Sequence, residues 1–116
     1  MNTALLMISD AYGAHGGVQT YSRRVAEIMM TWGEQRGYRL ACASLHDRVP
    51  TDSVHQHPVS YCRFAGAGGS KSRFIARSIR LASELRPAVA VVAHLGITPV
   101  ALALKTAGLL RSYVVM

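Results

Sequence analysis

Ala4-Leu5-Leu6-Met7-Ile8, followed by Gly13-Ala14-His15-Gly16-Gly17-Val18-Gln19, is the stretch that decides the fold. An apolar run of strand length leads into a glycine-rich turn, and the turn opens a patterned helix. Val18, Tyr21, Val25, Ile28, Met29 and Trp32 trace one face at the 3.6-residue period, with Arg23, Arg24, Glu27, Glu34 and Gln35 on the other. Strand, glycine turn and helix N-terminus in that order form an anion site. Glycines let backbone approach a ligand closely. The unpaired N–H groups of the first helical turn point at whatever lies there, and the helix dipole adds about half a positive charge. The usual occupant is a phosphate, so the expectation is a protein that handles a phosphorylated ligand, a nucleotide foremost.

Outward from this unit the elements alternate. Gly37 closes the first helix as the residue past its end. Tyr38 to Leu45 reads as a second strand, residues 46 to 57 as a polar loop and Val59 to Phe64 as a third strand. A flexible turn, 65 to 70, ends on Ser70 as a helix N-cap. Residues 71 to 85 then carry an apolar face of Phe74, Ser78, Leu81, Ala82 and Leu85, flanked by Ile75 and Ile79, and Arg73, Arg77 and Arg80 line the other side. Arg86-Pro87 stops that helix, because the residue before proline is steered out of the helical region. Ala88 to His94 is a continuous valine-rich run, the pattern of a central parallel strand covered on both faces. Thr98 is expected to cap a helix from Val100 to Leu110 that is apolar nearly all round and well buried, with Pro99 at its first turn. Tyr113 to Met116 begins another strand. This succession predicts an α/β fold with a Rossmann-like, doubly wound parallel sheet. Such sheets bind ligands at the carboxyl ends of their strands. The glycine turn and His94 both follow strand ends and are expected to face one crevice.

Bulk properties bound the function. The 116 residues form a single domain, half of them hydrophobic and 16% charged, which argues against disorder. No apolar run reaches the ~18 residues of a membrane span. The N-terminus lacks the basic region of a signal peptide. Cys42 and Cys62 have no metal-ligand spacing and read as two buried, reduced thiols. The net charge of +7 suits an anionic membrane surface, anionic substrates or nucleic acid. Nucleic acid is disfavoured, since aromatic side chains are few and not interleaved with basic ones. Because a final strand with no helix to cover it is an unusual end, we expect the chain to be a piece of a longer protein.

The motifs exclude more than they assign. The Gly-x-Gly-x-x-Gly dinucleotide fingerprint is absent and no acidic residue ends the second strand, against a nicotinamide enzyme. Gly68-Gly69-Ser70-Lys71-Ser72 has the composition of a phosphate loop in the wrong order. The glutamates sit on outer helix faces, so no catalytic carboxylate pair is expected, and Asp10 reads as a turn or cap residue. His55 and His57 read as a solvated loop with no metal partner nearby. His15, inside the glycine turn, and His94, at a strand end, are the histidines with functional positions.

Gly16-Gly17-Val18-Gln19-Thr20-Tyr21, with Val25-Ala26-Glu27-Ile28-Met29 behind it, resembles the opening of family-four glycosyltransferases of the GT-B fold. Arg86-Pro87-Ala88-Val89-Ala90-Val91-Val92-Ala93-His94-Leu95 is similar to that family's recurrent Arg-Pro-Asp-Val-Val-His-Ala-His strand, and Tyr113-Val114-Val115 follows as in the family. The match spans nearly the whole chain in order, and the phosphatidylinositol mannosyltransferases are a similar subgroup. The resemblance implies a retaining transferase of two Rossmann-like domains, of which this chain is the N-terminal, acceptor-side one. It implies that Gly16 and Gly17 close on the donor diphosphate and that His94 lies near the transferred sugar. His15, Arg73, Arg77 and Arg80 are assigned to the acceptor or to an anionic membrane. Partners are a nucleotide-sugar donor, a glycan or lipid-linked acceptor and the C-terminal donor-binding domain. No cofactor and no metal are expected, and the location implied is cytoplasmic, at the inner membrane face. Ala88 and Ala93 stand where the family has larger or acidic residues, and the second domain's Glu-x7-Glu pair has no counterpart here. The chain alone is therefore expected to be inactive. The rival reading is a stand-alone nucleotide-binding or interaction module that works with a separate catalytic chain. An uncovered edge strand also suggests a homodimer.

Overall fold

The computed structural model describes residues 2–12, 17–47 and 61–115. Five parallel strands form one sheet: β1 (Asn2–Ile8), β2 (Tyr38–Ser44), β3 (Arg63–Gly66), β4 (Val89–Val92) and β5 (Ser112–Val115), in the order β3-β2-β1-β4-β5. Three helices connect them: α1 (Gly17–Arg36), α2 (Lys71–Leu85) and α3 (Thr98–Thr106). This is the Rossmann-like, doubly wound arrangement that the alternation predicted.

The two faces follow from the handedness of parallel crossovers. The chain travels one way from β1 to β3 and the opposite way from β4 to β5, so its helices must change sides. α1 packs Val25, Ala26 and Met29 against Ala4, Leu6, Ile8, Leu40 and Cys42 on one face. α2 and α3 pack Phe74, Leu81, Ala101 and Leu104 against Leu5, Met7, Ala41, Ala90 and Val92 on the other. β1 lies at the centre, and its residues Thr3 to Ile8 are all buried. The sequence there is continuously apolar because both faces of the strand are covered.

Helix ends follow local chemistry. Gly37 takes φ +74°, which lets the chain leave α1 and enter β2 at once. The Ser70 hydroxyl accepts the Arg73 N–H at 3.3 Å and caps α2. Arg86 turns left-handed at φ 47° ahead of Pro87.

Four sequence expectations need correction. On α1 the buried residues are Ser22, Val25, Ala26, Met29 and Gly33, whereas Val18, Tyr21 and Ile28 are exposed. The helix turns its small residues to the sheet because close approach favours them, and at Gly33 a Cβ would stand 3.0 Å from the Tyr38 carbonyl. β3 begins at Arg63 and runs on to Gly66, since Ala43 and Ser44 of β2 are there to pair with Ala65 and Gly66. Thr98 is the first residue of α3 and not its cap: a 3-10 turn, Leu95–Ile97, passes directly into the helix, and the Thr98 N–H bonds the Leu95 carbonyl. α3 ends at Thr106 and is only half covered, with Leu102 exposed. Its outer side and the exposed Ile75 and Ile79 of α2 line an apolar groove of about 420 Å³. The expected loop beyond Asp47, Val59 at the start of the third strand, and His55 and His57 lie outside the described residues.

Candidate functional site

The site is built where β1 leaves the sheet. Past Ile8 the backbone continues to pair with the exit of β2, Leu45 N–H to the Ile8 carbonyl at 3.0 Å and His46 N–H to the Ser9 carbonyl at 2.7 Å. This brings Asp47 back under the β1 exit. Its Oδ2 accepts the Ala11 N–H at 2.9 Å and the Ser44 hydroxyl at 2.7 Å, and its Oδ1 accepts the Tyr12 N–H at 2.8 Å. Asp47 is fully buried, as a carboxylate can be only when its oxygens are engaged. One turn into α1, the Gln19 side-chain amide donates to Asp10 Oδ2 at 2.9 Å.

The Asp10 carboxyl is a neighbour that acts on Asp47. Burial pushes Asp47 above the ordinary carboxylate value and Asp10 pushes the same way, while the Ser44 hydroxyl and the Tyr12 and Ala11 amides oppose. The sequence reading did not bring these two carboxyls together. Asp10 is two residues past β1 and Asp47 three past β2, and parallel neighbours put their exits side by side. The strand boundaries alone carried this signal.

His94 stands beside this exit. β4 pairs with β1, Met7 opposite Val92, and the Ala93 N–H continues the ladder to the Met7 carbonyl at 2.9 Å. His94 is exposed, and its Nδ1 accepts the Gly96 N–H at 3.2 Å, capping the 3-10 turn. With Nδ1 an acceptor, Nε2 carries the ring hydrogen outward. Leu95 beside it is 77% exposed. Gly17, the first residue of α1, is exposed, and a Cβ there would meet nothing within 4 Å. The first turn of α1 holds no acidic residue. Gly17 and His94 therefore follow two adjacent strands at the point where the winding reverses. His15 and Gly16 lie outside the described residues.

The arginines form a different place. Arg77 donates to the Gly66 carbonyl, Arg80 to Glu84 Oε1 at 3.0 Å and Arg63 to Glu84 Oε2 at 2.7 Å. Arg63 first and Arg80 second hold the Glu84 carboxyl below its usual value. Arg63, Arg77 and Arg80 line a trough of about 290 Å³ along the open edge of β3. β2 and β1 separate that edge from β4, so the stripe does not share the crevice with His94.

Aromatic side chains wall the β1 exit. The Tyr12 and Tyr61 hydroxyls are hydrogen-bonded, their rings meet edge-on at 6.3 Å, and Phe64 packs against both. Burial raises Tyr12 to about 12 and raises Tyr61 further. Cys42 is buried below, its thiol pushed up by burial; Cys62 is exposed, against expectation, and both thiols are free. No three acidic, histidine or cysteine side chains converge on a metal position among the described residues, and no helix among them is long and apolar enough to cross a membrane. No family model matches the chain, and no curated protein or solved structure matches it either.

Proposed function

We propose that this chain is the N-terminal, acceptor-side domain of a retaining GT-B glycosyltransferase, which moves a sugar from a nucleotide-sugar to a glycan or lipid-linked acceptor. One observation carries the reading: the glycine segment and His94 follow β1 and β4, the two neighbours at which the strand order reverses. A doubly wound sheet opens its ligand crevice there. The N–H groups at the start of α1 would take charge developing on the donor diphosphate, with Gly16 and Gly17 leaving room for it. The open space at Gly17 supports that role. The outward Nε2–H of His94 would donate to the sugar. The second domain would bind the nucleotide and close over this face, so the present chain alone is inactive. The basic edge of α2 and β3 would rest on anionic lipid at the cytosolic leaflet.

The test is transfer of labelled sugar from nucleotide-sugars to lipid acceptors by the two-domain protein that carries this sequence. Gly17→Val abolishes transfer there while the far-ultraviolet circular dichroism stays unchanged. Normal turnover by that variant would remove the phosphate assignment.

A further inference from the structure

The residues around His94 decide what its ring can do. β4 ends at Val92, and the Ala93 N–H still bonds the Met7 carbonyl at 2.9 Å. His94 is extended, at φ −149° and ψ 124°. The chain then folds into the 3-10 turn, with the Ile97 N–H on the His94 carbonyl at 3.0 Å and the Ile97 side chain buried in the core. The backbone that carries the imidazole is thus held on both sides, to β1 before it and to the core after it.

Gly96 stands inside this turn, and its backbone conformation does not call for glycine. Gly37, Gly68, Gly69 and Gly108 have positive φ; Gly96 does not. What opposes a side chain there is the ring. A Cβ on Gly96 would stand 3.2 Å from both Nδ1 and Cε1 of His94, inside the roughly 3.5–4.0 Å of comfortable contact. The same residue donates its N–H to Nδ1 at 3.2 Å. We propose that Gly96 is a positioning residue for His94: its amide and its missing side chain together seat the imidazole over the turn, so that the neutral ring serves as a hydrogen-bond donor and not as a base. The functional half rests on the proposed contact of His94 with the transferred sugar; the seating of the ring does not.

A neutral imidazole has one N–H and one lone pair. Gly96 uses the lone pair, on Nδ1, so the hydrogen sits on Nε2 and no basic nitrogen is left to face the crevice. Seated in this way, His94 does not take a proton from an acceptor hydroxyl. It gives a hydrogen bond to an uncharged oxygen, and the hydroxyls of a sugar are of that class. His94 is exposed, so little besides the turn fixes its ring. A methyl group at Gly96 would be relieved by swinging the ring aside, which leaves the turn and the sheet in place. The seat is therefore separable from the fold.

The first arm of the experiment is NMR of the 116-residue chain at a pH where the imidazole is neutral. With isotope-labelled glycine and histidine nitrogens, a scalar coupling across the N–H···N bond should join the Gly96 amide nitrogen to Nδ1 of His94, and the ring hydrogen should sit on Nε2. Gly96→Ala should abolish the coupling and return the ring to the tautomer mixture of free histidine, with the far-ultraviolet circular dichroism unchanged. A native chain without the coupling would overturn the seating, whether or not the variant folds. A ring unchanged in Gly96→Ala would overturn the part played by the missing side chain. The second arm is sugar transfer by the two-domain protein that carries this sequence. There Gly96→Ala is expected to lower kcat about tenfold, the scale of one misdirected hydrogen bond. In a His94→Ala background it should have no further effect. An equal loss in that background would overturn the positioning role. The coupling together with full turnover by His94→Ala would support the seating and overturn the sugar contact.

Discussion

Asp47 shows how much a single side chain can organise. It is fully buried, accepts three hydrogen bonds and has a second carboxyl as a neighbour, so it joins the exits of β1 and β2. Asp47→Ala removes the acceptor, leaves the buried Ala11 N–H without it and takes from the Ser44 hydroxyl its shortest bond. The expected loss is about 3 kcal/mol, measured by urea unfolding. The pH dependence has a definite sign. A folded-state value above the unfolded one contributes stability that is fully present below 3.8 and is lost as pH rises through the raised value. The native chain should therefore lose stability as pH rises through that raised value. Asp10→Asn should flatten that slope, and an unchanged slope would assign it to another group.

Elements differ in how openly the sequence declares them. Among the described residues, the existence, type and order of the strands and helices could be read from apolar runs, glycines and prolines, and α2 matched at both ends. Its Ser70 cap and the Arg86-Pro87 stop are local signals and needed no tertiary context. The face of α1 was read in part, with Val25 and Met29 buried as expected and Val18, Tyr21 and Ile28 exposed, because apolar periodicity ranks large side chains first. The sheet selects small ones where the backbones come close, at Ser22, Ala26 and Gly33. Gly33→Ala should cost about 1–3 kcal/mol, since its methyl would press on the Tyr38 carbonyl at the start of β2. A thermal melt unchanged by this substitution would show that the helix can shift outward freely. The histidine and glycine positions were legible because strand ends announce themselves. The carboxylate pair was not, because it depends on which two strands lie side by side.

At the scale of the whole molecule, the carboxyls at the β1 exit and the arginines beside β3 stand apart. The crevice carries acidic groups beside an electropositive helix end, and Arg63, Arg77 and Arg80 line the outer edge of β3. There Arg80 is tied to Glu84 and Arg77 to a backbone carbonyl. If this edge meets anionic lipid, Arg77→Glu with Arg80→Glu should weaken partitioning onto anionic vesicles, most visibly at low salt. Arg24→Glu with Arg36→Glu on α1 changes the net charge equally and should have little effect. Equal partitioning of both double variants would make the binding a matter of net charge alone.

The sheet order also sets when the crevice can come into being. β1 finds β2 after one helix, but Ala4 must wait for Val89, which arrives only when most of the chain has been made. Closing so long a loop is entropically slow, and contacts of high sequence separation are the ones that delay folding. The seam between β1 and β4 is thus a late event on the folding path. Since Gly17 and His94 follow the two strands that this seam joins, a chain that has stalled before it closes can hold most of its helices and still lack the ligand crevice.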